Sequence, residues 1–283
     1  MAIEWKQIEP VVAQALAEDL ERGDITTEAL ISPELQGKAS FVVKASGVLA
    51  GTEIARMVFS QVDPSLQFKV IIPEGSKVKP GDIVARIEGR IASILKAERV
   101  ALNFLQRLSG IASETARYVE AIKGLNCRIM DTRKTTPGLR FLEKYAVRAG
   151  GGYNHRLHLG DGILIKDNHL AALHGQGMSL KEVVAKAKRK TPHNLKVEVE
   201  VKTVEEAIEA GEAGADTVML DNMSLKEMRR AVALIKDRAL LEASGGITLE
   251  NVRAVAETGV DCISVGALTH SAKALDISLE LES

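Results

Sequence analysis

The sequence is poor in aromatic side chains and in net charge, and both shortages argue against a nucleic-acid-binding protein. Phe, Trp and Tyr make up 3% of the 283 residues, and Trp5 is the single tryptophan. That is too few for the stacking platforms on which nucleic-acid bases lie. Lys and Arg number 37 against 38 Asp and Glu, so bulk positive charge cannot hold a nucleic acid either. We expect no nucleic-acid partner.

Cysteine and long apolar runs are also scarce. The two cysteines, Cys127 and Cys262, are too few and too far apart for a disulfide framework or a cysteine metal site. No apolar run approaches the length of about 18 residues that spans a bilayer, and charged residues are scattered through positions 1–19. We therefore expect a cytoplasmic protein that has no signal peptide and no membrane partner.

The near-zero net charge conceals one cationic segment. Residues 128–166 contain eight basic and three acidic side chains, a local net charge of +5. Because the rest of the chain is slightly acidic, this concentration of positive charge indicates a site for a small anionic ligand.

The second half of the chain alternates short β-rich runs with helical patterns. The predicted strands are residues 127–130, 163–165, 195–201, 217–220, 240–243 and 262–265. Two intervening helices end at Gly214 and Gly259, where a left-handed cap is expected. Alternating βα units build a parallel sheet, and polar or glycine residues after each strand favour a closed barrel. The segment is short for eight units, which need about 250 residues, so we expect an irregular barrel with fewer strands.

The first part of the chain follows a different pattern. Predicted strands at residues 41–44, 47–51, 68–72 and 83–87 accompany one short helix at 53–59. The turn at 73–82 resembles that of lipoyl and biotinyl carrier domains, but no cofactor-attachment tripeptide follows it. A helical stretch at 97–124, broken around Ser109 and Gly110, is expected to lead into the barrel. The predicted domains are residues 1–112, joined by 270–283, and the barrel at 113–269.

Two groups of residues in the cationic segment are candidate anion ligands. Arg133 and Lys134 follow the first barrel strand, where side chains of a strand end can converge on one anion. Glycines at 150–152 allow close approach of the backbone to a ligand, and His155 and Arg156 follow them as hydrogen-bond donors. The alternatives are a solvated loop for the first group and a flexible hinge for the second.

Lys166 follows the apolar run 163–165, which predicts a buried strand. A lysine at the end of such a strand serves either as a Schiff-base nucleophile or as an anion ligand. The residues alone leave both roles open.

Acidic residues mark the ends of two further strands. Glu198 and Glu200 alternate with valines, so both carboxylates share one face of the strand. If the valines pack against helices, the carboxylates face the barrel interior and need cations. Together with Asp221 they form an oxygen ligand set that suits Mg²⁺. For Glu198 the alternative is a buried pair with Lys or Arg.

Glycine loops follow the last two strands. One loop begins at Ser244, Gly245 and Gly246, and the other at Val265 and Gly266. Glycine loops that open helices at the last strands of a barrel form the usual phosphate site of such folds. The alternative is a pair of ordinary turns.

Taken in order, these motifs resemble those of quinolinate phosphoribosyltransferase, the decarboxylating nicotinate-nucleotide pyrophosphorylase. The motifs are Asp131-Thr132-Arg133-Lys134-Thr135-Thr136-Pro137-Gly138, Gly150-Gly151-Gly152-Tyr153-Asn154-His155-Arg156, Ile165-Lys166-Asp167-Asn168-His169, Glu198-Val199-Glu200, Leu220-Asp221-Asn222 and Glu242-Ala243-Ser244-Gly245-Gly246. The resemblance extends from Gly23 to Asp276. It implies an α/β fold: an irregular TIM-like β/α barrel of six or seven strands plus an N-terminal α+β sandwich domain.

The resemblance also implies the reaction and its partners. Quinolinate and 5-phosphoribosyl 1-pyrophosphate (PRPP) give nicotinate mononucleotide, pyrophosphate and CO2, with Mg²⁺ as cofactor. A homodimer is implied, in which Arg99 completes the neighbouring active site; higher assembly is left open. Implied catalytic residues are Lys134, Lys166, Glu200 and Asp221, and Glu200 and Asp221 also bind the metal.

The implied substrate contacts cover both reactants. Residues around the quinolinate carboxylates are Arg133, His155, Arg156 and Lys166, and Lys134 lies near the pyrophosphate. The implied 5-phosphate site consists of Ser244, Gly245, Gly246, Val265, Gly266 and His270. Two alternatives are a related phosphoribosyltransferase that accepts another anionic heterocycle, and a Schiff-base aldolase that uses Lys166.

Overall fold

In the computed structural model the chain is described from residue 5 to residue 282. The predicted domain ranges include residues 1–4 and Ser283, which lie outside the described residues. The chain divides into two compact units. The first comprises Met1–Ala116, Lys134–Gly151 and Ala267–Ser283, and the second comprises Arg117–Arg133 and Gly152–Gly266.

The first unit contains a four-stranded antiparallel sheet with helices. Its main strands are β1 (Gln36–Val43), β3 (Gln67–Val70), β5 (Ile83–Arg90) and β12 (Ile277–Leu281), and the short pair is β2 (Gly47–Val48) and β4 (Lys77–Val78). The sheet order is β12-β1-β5-β3. The helices are α1 (Trp5–Leu20), α2 (Ile25–Leu30), α3 (Thr52–Val62), α4 (Ile91–Ala121), α5 (Arg140–Ala149) and α11 (Ala267–His270). The last residues of α4 belong to the second unit.

Alternation along β1 builds the core of this unit. Ala39, Phe41 and Val43 are fully buried, as expected for the inward face of a strand with period two. The Phe41 ring lies 5.8 Å from that of Phe59 in an edge-on arrangement and 5.6 Å from that of Phe68. These spacings are in the range of favourable aromatic pairs. The predicted α+β architecture of the N-terminal region is confirmed.

The predicted break in the long helix is wrong. Helix α4 runs through Ser109 and Gly110 without interruption over 31 residues. A Cβ atom on Gly110 would lie 2.0 Å from the Lys273 carbonyl oxygen, so the glycine admits a neighbouring backbone. The Ser109 hydroxyl accepts a hydrogen bond from the Ala50 amide and donates one to the Ala50 carbonyl. Both residues therefore serve packing between segments that are distant in sequence.

The second unit contains a six-stranded parallel sheet. Its strands are β6 (Arg128–Met130), β7 (Ile163–Ile165), β8 (Val197–Val201), β9 (Thr217–Asp221), β10 (Leu240–Ser244) and β11 (Cys262–Ser264). The order is β6-β11-β10-β9-β8-β7, and Tyr153 adds a parallel bridge to Met130. The helices that follow the strands are α6 (Asp167–His174), α7 (Leu180–Lys190), α8 (Val204–Glu212), α9 (Leu225–Ile235) and α10 (Val252–Ala256). All six predicted strands are present, and the bridge at Tyr153 occupies a seventh position.

Side-chain alternation explains why this sheet has one apolar and one polar face. Val197, Val199 and Val201 are at most 1% exposed, and Glu198 lies on the opposite face of the same strand. The Glu198 side chain contacts His155, which follows the bridge to β6 at the other end of the sheet order. A flat sheet could not bring these positions together, so the sheet curls into a barrel.

Local signals set the helix ends of this unit. Ser179, Thr203 and Ser224 each form a capping box with a glutamate three residues later. Gly214 and Gly259 have φ angles of +85° and +95°, which confirms the predicted left-handed caps. Over the described residues, no helix combines the length and the apolarity needed to cross a bilayer.

Candidate active site

The predicted site residues divide between the two units. Those in the second unit lie in the last residues of its strands, after the strand ends, or after the Tyr153 bridge: Arg133, His155, Arg156, Lys166, Glu200, Asp221, Ser244, Gly245, Gly246, Val265 and Gly266. Those in the first unit are Arg99, Lys134 and His270. Because the strands are parallel, their carboxyl ends meet at one rim of the barrel, which is where barrel enzymes carry their sites.

Arg133 and Arg156 form a pair of cations on this rim. Each has a buried Nε atom without a hydrogen-bond partner among the described residues. Arg156 donates one hydrogen bond from Nη1 to the Gly162 carbonyl, at 2.9 Å. Burial lowers the pKa of Arg156, and the positive charge of Arg133 lowers it further, while Glu198 opposes the shift. Two neighbouring guanidinium groups with unused N–H donors form a site suited to a dianion.

Asp131 fixes the loop that carries the second arginine. This carboxylate is fully buried at the end of β6. Its Oδ1 atom accepts a hydrogen bond from the His155 amide at 2.8 Å, and its Oδ2 atom accepts one from Asn154 at 2.6 Å. Asp131 belongs to the motif at 131–138, but no local pattern in the sequence indicates this anchoring role. Its partners lie more than twenty positions away in the chain.

His155 lies between two buried carboxylates. Its Nδ1 atom accepts a hydrogen bond from the Arg156 amide at 2.9 Å. Its Nε2 atom lies 2.9 Å from Glu198 Oε2 and 3.7 Å from Glu242 Oε2. The alternative partner predicted for Glu198, a Lys or Arg, is therefore replaced by a histidine. Sequence reasoning assigned no role to Glu242, which is 2% exposed.

Glu200 and Asp221 form an acidic pair at the ends of β8 and β9. Burial raises the pKa of Glu200, and the negative charge of Asp221 raises it further, while Lys166 opposes the shift. Asn222 donates a hydrogen bond from Nδ2 to Asp221 Oδ1 at 3.0 Å. Two carboxylates that repel each other, both hard oxygen donors, fit a divalent cation such as Mg²⁺.

Lys166 lies at the start of α6, directly after β7. Its side chain is exposed, and its amide donates a hydrogen bond to His169 Nδ1 at 2.9 Å. An amine nucleophile needs burial or neighbouring cations to lower its pKa. The exposed side chain of Lys166 is instead suited to binding an anionic ligand as a cation.

The Ser244 loop has the backbone conformation expected of a glycine-dependent turn. Gly245 and Gly246 have φ angles of +89° and +62°. A Cβ atom on Gly245 would lie 2.3 Å from Asn222 Oδ1, so a larger residue would displace the Asn222 side chain and adopt a strained left-handed conformation. The Asn222 amide donates to the Ser244 carbonyl at 2.9 Å, which ties this loop to the end of β9. Val265 is buried, so only its backbone is available to a ligand.

In the first unit, hydrogen bonds connect the segments that carry Lys134 and His270. The Thr269 hydroxyl donates to the Lys134 carbonyl at 2.8 Å. Arg107 donates from Nη2 to the Thr269 carbonyl at 2.7 Å and to Glu143 Oε1 at 2.6 Å. Arg99 is exposed on α4.

Comparison with known proteins gives consistent matches over the whole chain. Residues 24–109 match the model of the quinolinate phosphoribosyl transferase N-terminal domain, and residues 111–280 match that of the C-terminal domain. The chain is 44% identical to the probable nicotinate-nucleotide pyrophosphorylase [carboxylating] of Bacillus subtilis, over 97% of this chain and 93% of the relative. It is 42% identical to the mitochondrial quinolinate phosphoribosyltransferase [decarboxylating] 2 of Nicotiana glauca, over 98% of this chain and 82% of the relative.

Solved structures show the same similarity. The crystal structure of NadC from Streptococcus pyogenes superposes with a TM-score of 0.95 at 44% identity, covering 100% of this chain and 99% of that one. The nicotinate-nucleotide pyrophosphorylase from Francisella tularensis superposes with a TM-score of 0.93 at 39% identity, covering 98% and 96%.

Proposed function

Because the chain belongs to the quinolinate phosphoribosyltransferase family, we propose that it carries out that family's reaction with the residues described above. The enzyme transfers the phosphoribosyl group of PRPP to quinolinate and removes one carboxyl group. The products are nicotinate mononucleotide, pyrophosphate and CO2, in the synthesis of NAD. The observation that carries the proposal is the pair Arg133 and Arg156, each with an unpartnered buried Nε atom.

Quinolinate carries two adjacent carboxylates, which suit this pair. Two unit charges 4 Å apart interact by about 4 kcal/mol at an effective dielectric constant of about 20. One cation would leave much of the substrate's charge unbalanced, whereas Arg133, Arg156 and the exposed Lys166 together balance it. Ligand binding would also relieve the repulsion that lowers the pKa of Arg156.

The arginine pair can be tested by calorimetry. Replacing Arg133 with Ala removes one guanidinium group, so quinolinate binding should be lost while PRPP binding is retained. Arg238→Ala, which removes an exposed guanidinium paired with Glu212, is the matched control and should leave both affinities unchanged. Undiminished quinolinate affinity in Arg133→Ala would contradict the assignment.

Positioning and charge account for the chemical steps. As pyrophosphate leaves, positive charge develops at C1 of the ribose, and the carboxylates of Glu200 and Asp221 would stabilise it. The quinolinate nitrogen attacks this carbon directly, so no protein nucleophile is needed. When CO2 leaves, the electron pair of the broken C–C bond stays on C2, where the adjacent positively charged pyridinium nitrogen stabilises it, and a proton from solvent then takes the place of the lost carboxyl group. Arg133 and Arg156 hold the ring in place for both steps.

The acidic pair also fits a metal ion. Burial and the negative charge of Asp221 raise the pKa of Glu200, and a divalent cation bound between the two carboxylates would oppose that shift. We propose that these two residues hold Mg²⁺, which when bound neutralises charge on the pyrophosphate leaving group.

The phosphate groups of PRPP are assigned to the remaining residues. We propose that the 5-phosphate binds Ser244, Gly245, Gly246, Val265, Gly266 and His270, and that the pyrophosphate binds Lys134. The left-handed conformation of Gly245 and Gly246 supports this assignment, because it exposes backbone amides for an anion.

A homodimer completes the proposal. Arg99 is exposed in the single chain, and the family resemblance gives it to the active site of a second copy. Mixing the inactive variants Arg99→Ala and Arg133→Ala would then restore activity in the mixed dimers, and absence of any restoration would contradict it. We also propose a cytoplasmic location, with which the two free thiols are compatible.

The Schiff-base alternative has less support. Lys166 is exposed and lacks the apolar surroundings that activate an amine nucleophile. Borohydride should therefore trap no substrate carbon on this residue.

A further inference from the structure

A buried cluster of His155, Glu198 and Glu242 lies inside the barrel, and the steps proposed above leave both glutamates without a role. One ligand atom from each residue lies within 4.8 Å of the other two. Glu198 is 8% exposed and Glu242 is 2% exposed. The Oε1 atoms of both glutamates have no hydrogen-bond partner among the described residues. Buried carboxylates with unused oxygens are costly, so the cluster requires an explanation.

The hydrogen bonds of His155 assign its protonation state. The Arg156 amide can only donate, so Nδ1, which lies 2.9 Å from it, accepts and carries no proton. The ring proton is therefore on Nε2, which donates to Glu198 Oε2 at 2.9 Å. A histidine that binds a metal normally donates its second ring nitrogen to an acceptor. In His155 the nitrogen that faces away from the glutamates, Nδ1, accepts a hydrogen bond and does not donate one. The cluster therefore does not have the arrangement of a metal site.

The groups that face Glu242 determine its charge. They are Glu198 on β8, His155 after the Tyr153 bridge, Asp131 after β6, and the Cys262 thiol and Ser264 hydroxyl on β11. None of these is a permanent cation. Burial raises the pKa of Glu242 to about 7, and the charge of Glu198 contributes to the shift. A protonated Glu242 leaves a single negative charge, on Glu198, facing the His155 N–H.

We infer that Glu198 and Glu242 are positioning residues that hold the Nε2 side of His155, so that its Nδ1 atom fixes the Arg156 backbone in the substrate site. The inference rests on the proposed function, because Arg156 is the proposed carboxylate ligand. Both ring nitrogens of His155 are engaged within the protein, so His155 can act on the substrate site through the Arg156 backbone. Ionisation of Glu242 adds a second negative charge beside Glu198, which disturbs His155 and disfavours an anion in the site.

Quinolinate affinity as a function of pH tests the role of Glu242. If only the neutral form supports binding, wild-type affinity should fall about tenfold between pH 6 and pH 8. Glu242→Gln, which keeps the neutral shape and cannot ionise, should bind well and show little change over this range. Glu280→Gln, an exposed variant on β12, should follow the wild type. A wild-type pH profile in Glu242→Gln, or a loss of binding at pH 6 in that variant, would overturn the inference.

A second measurement needs neither a stable variant nor activity. In ¹⁵N-histidine spectra of the wild-type protein at pH 7, the His155 signals should be those of the neutral ring protonated at Nε2. The His155→Gln spectrum serves only to assign them. Signals of an imidazolium ion or of the Nδ1-protonated ring would overturn the inference. If the wild type shows no turnover of quinolinate with PRPP, the proposed function fails, whereas the spectrum still tests the cluster.

Discussion

Replacing Glu143 with Ala should destabilise the first unit severely. The carboxylate is fully buried in α5. It accepts hydrogen bonds from Arg107 Nη2 at 2.6 Å, from the Thr136 amide at 3.0 Å and from the Thr136 hydroxyl at 2.7 Å. It therefore joins α4, α5 and the loop that follows Lys134. The substitution removes all three bonds and leaves Arg107 without its charge partner.

The expected loss of stability depends on how deeply each partner of the ion pair is buried, and only Glu143 is fully buried. Breaking a buried pair costs about 3–5 kcal/mol. Arg107 is 31% exposed and keeps its bond to the Thr269 carbonyl, so water and that carbonyl offset part of the loss. We expect about 3 kcal/mol, a large share of the roughly 5–15 kcal/mol that stabilises a domain. Glu143→Gln retains the shape and one acceptor, so it should lose less.

Urea unfolding followed by circular dichroism measures this effect. The control is Glu88→Ala, which breaks the exposed pair of Lys38 and Glu88 at 2.9 Å and should cost at most about 1 kcal/mol. A loss below about 1 kcal/mol in Glu143→Ala would refute the reasoning, because it would mean that the buried network contributes no more than a surface ion pair.

Two further predictions concern the first unit. Burial alone would raise the pKa of Asp63, but hydrogen bonds from Ser65, Ser93 and Arg90 outweigh it and lower the pKa. The stability that this carboxylate contributes is thus present above its unfolded pKa of about 3.9 and is lost as pH falls below it. When the free energy of unfolding is measured as a function of pH, Asp63→Asn should lack this acid loss. The same pH dependence in Asp63→Asn and in the wild type would contradict the assignment. Gly110→Ala should destabilise by more than about 1 kcal/mol in urea unfolding, since its Cβ would collide with the Lys273 carbonyl. Gly211→Ala in α8 is the control, because its Cβ would meet nothing closer than 3.7 Å, and it should be neutral or stabilising. An equal change in the free energy of unfolding in Gly110→Ala and Gly211→Ala would rule out the collision.

The sequence predicted the strands of the barrel well because their signals are local. Residues 163–165 are an isolated apolar run, and they form β7 without any change of bounds. The alternation of Glu198 and Glu200 with valines also predicted which face of β8 is apolar, since period two is a property of the strand alone. These features depend on neighbours in the chain.

The errors and omissions concern contacts between distant segments. Gly110 is a local signal for a helix break, but its role depends on the Lys273 carbonyl, which is more than 160 positions away. The partner of Glu198 is a histidine from another strand end, and Glu242 joins them only because the sheet curls. No spacing within the sequence reports such a contact, so the burial of Glu198 could be predicted but its contact with His155, and the proximity of Glu242, could not.

Release of CO2 from quinolinate labelled in its 2-carboxylate tests the central claim most directly. The wild-type protein, incubated with PRPP and Mg²⁺, should release labelled CO2 in equal amount to pyrophosphate, and omission of PRPP should abolish the release. Absence of CO2 with all reactants present, or release that does not depend on PRPP, would contradict the proposed reaction.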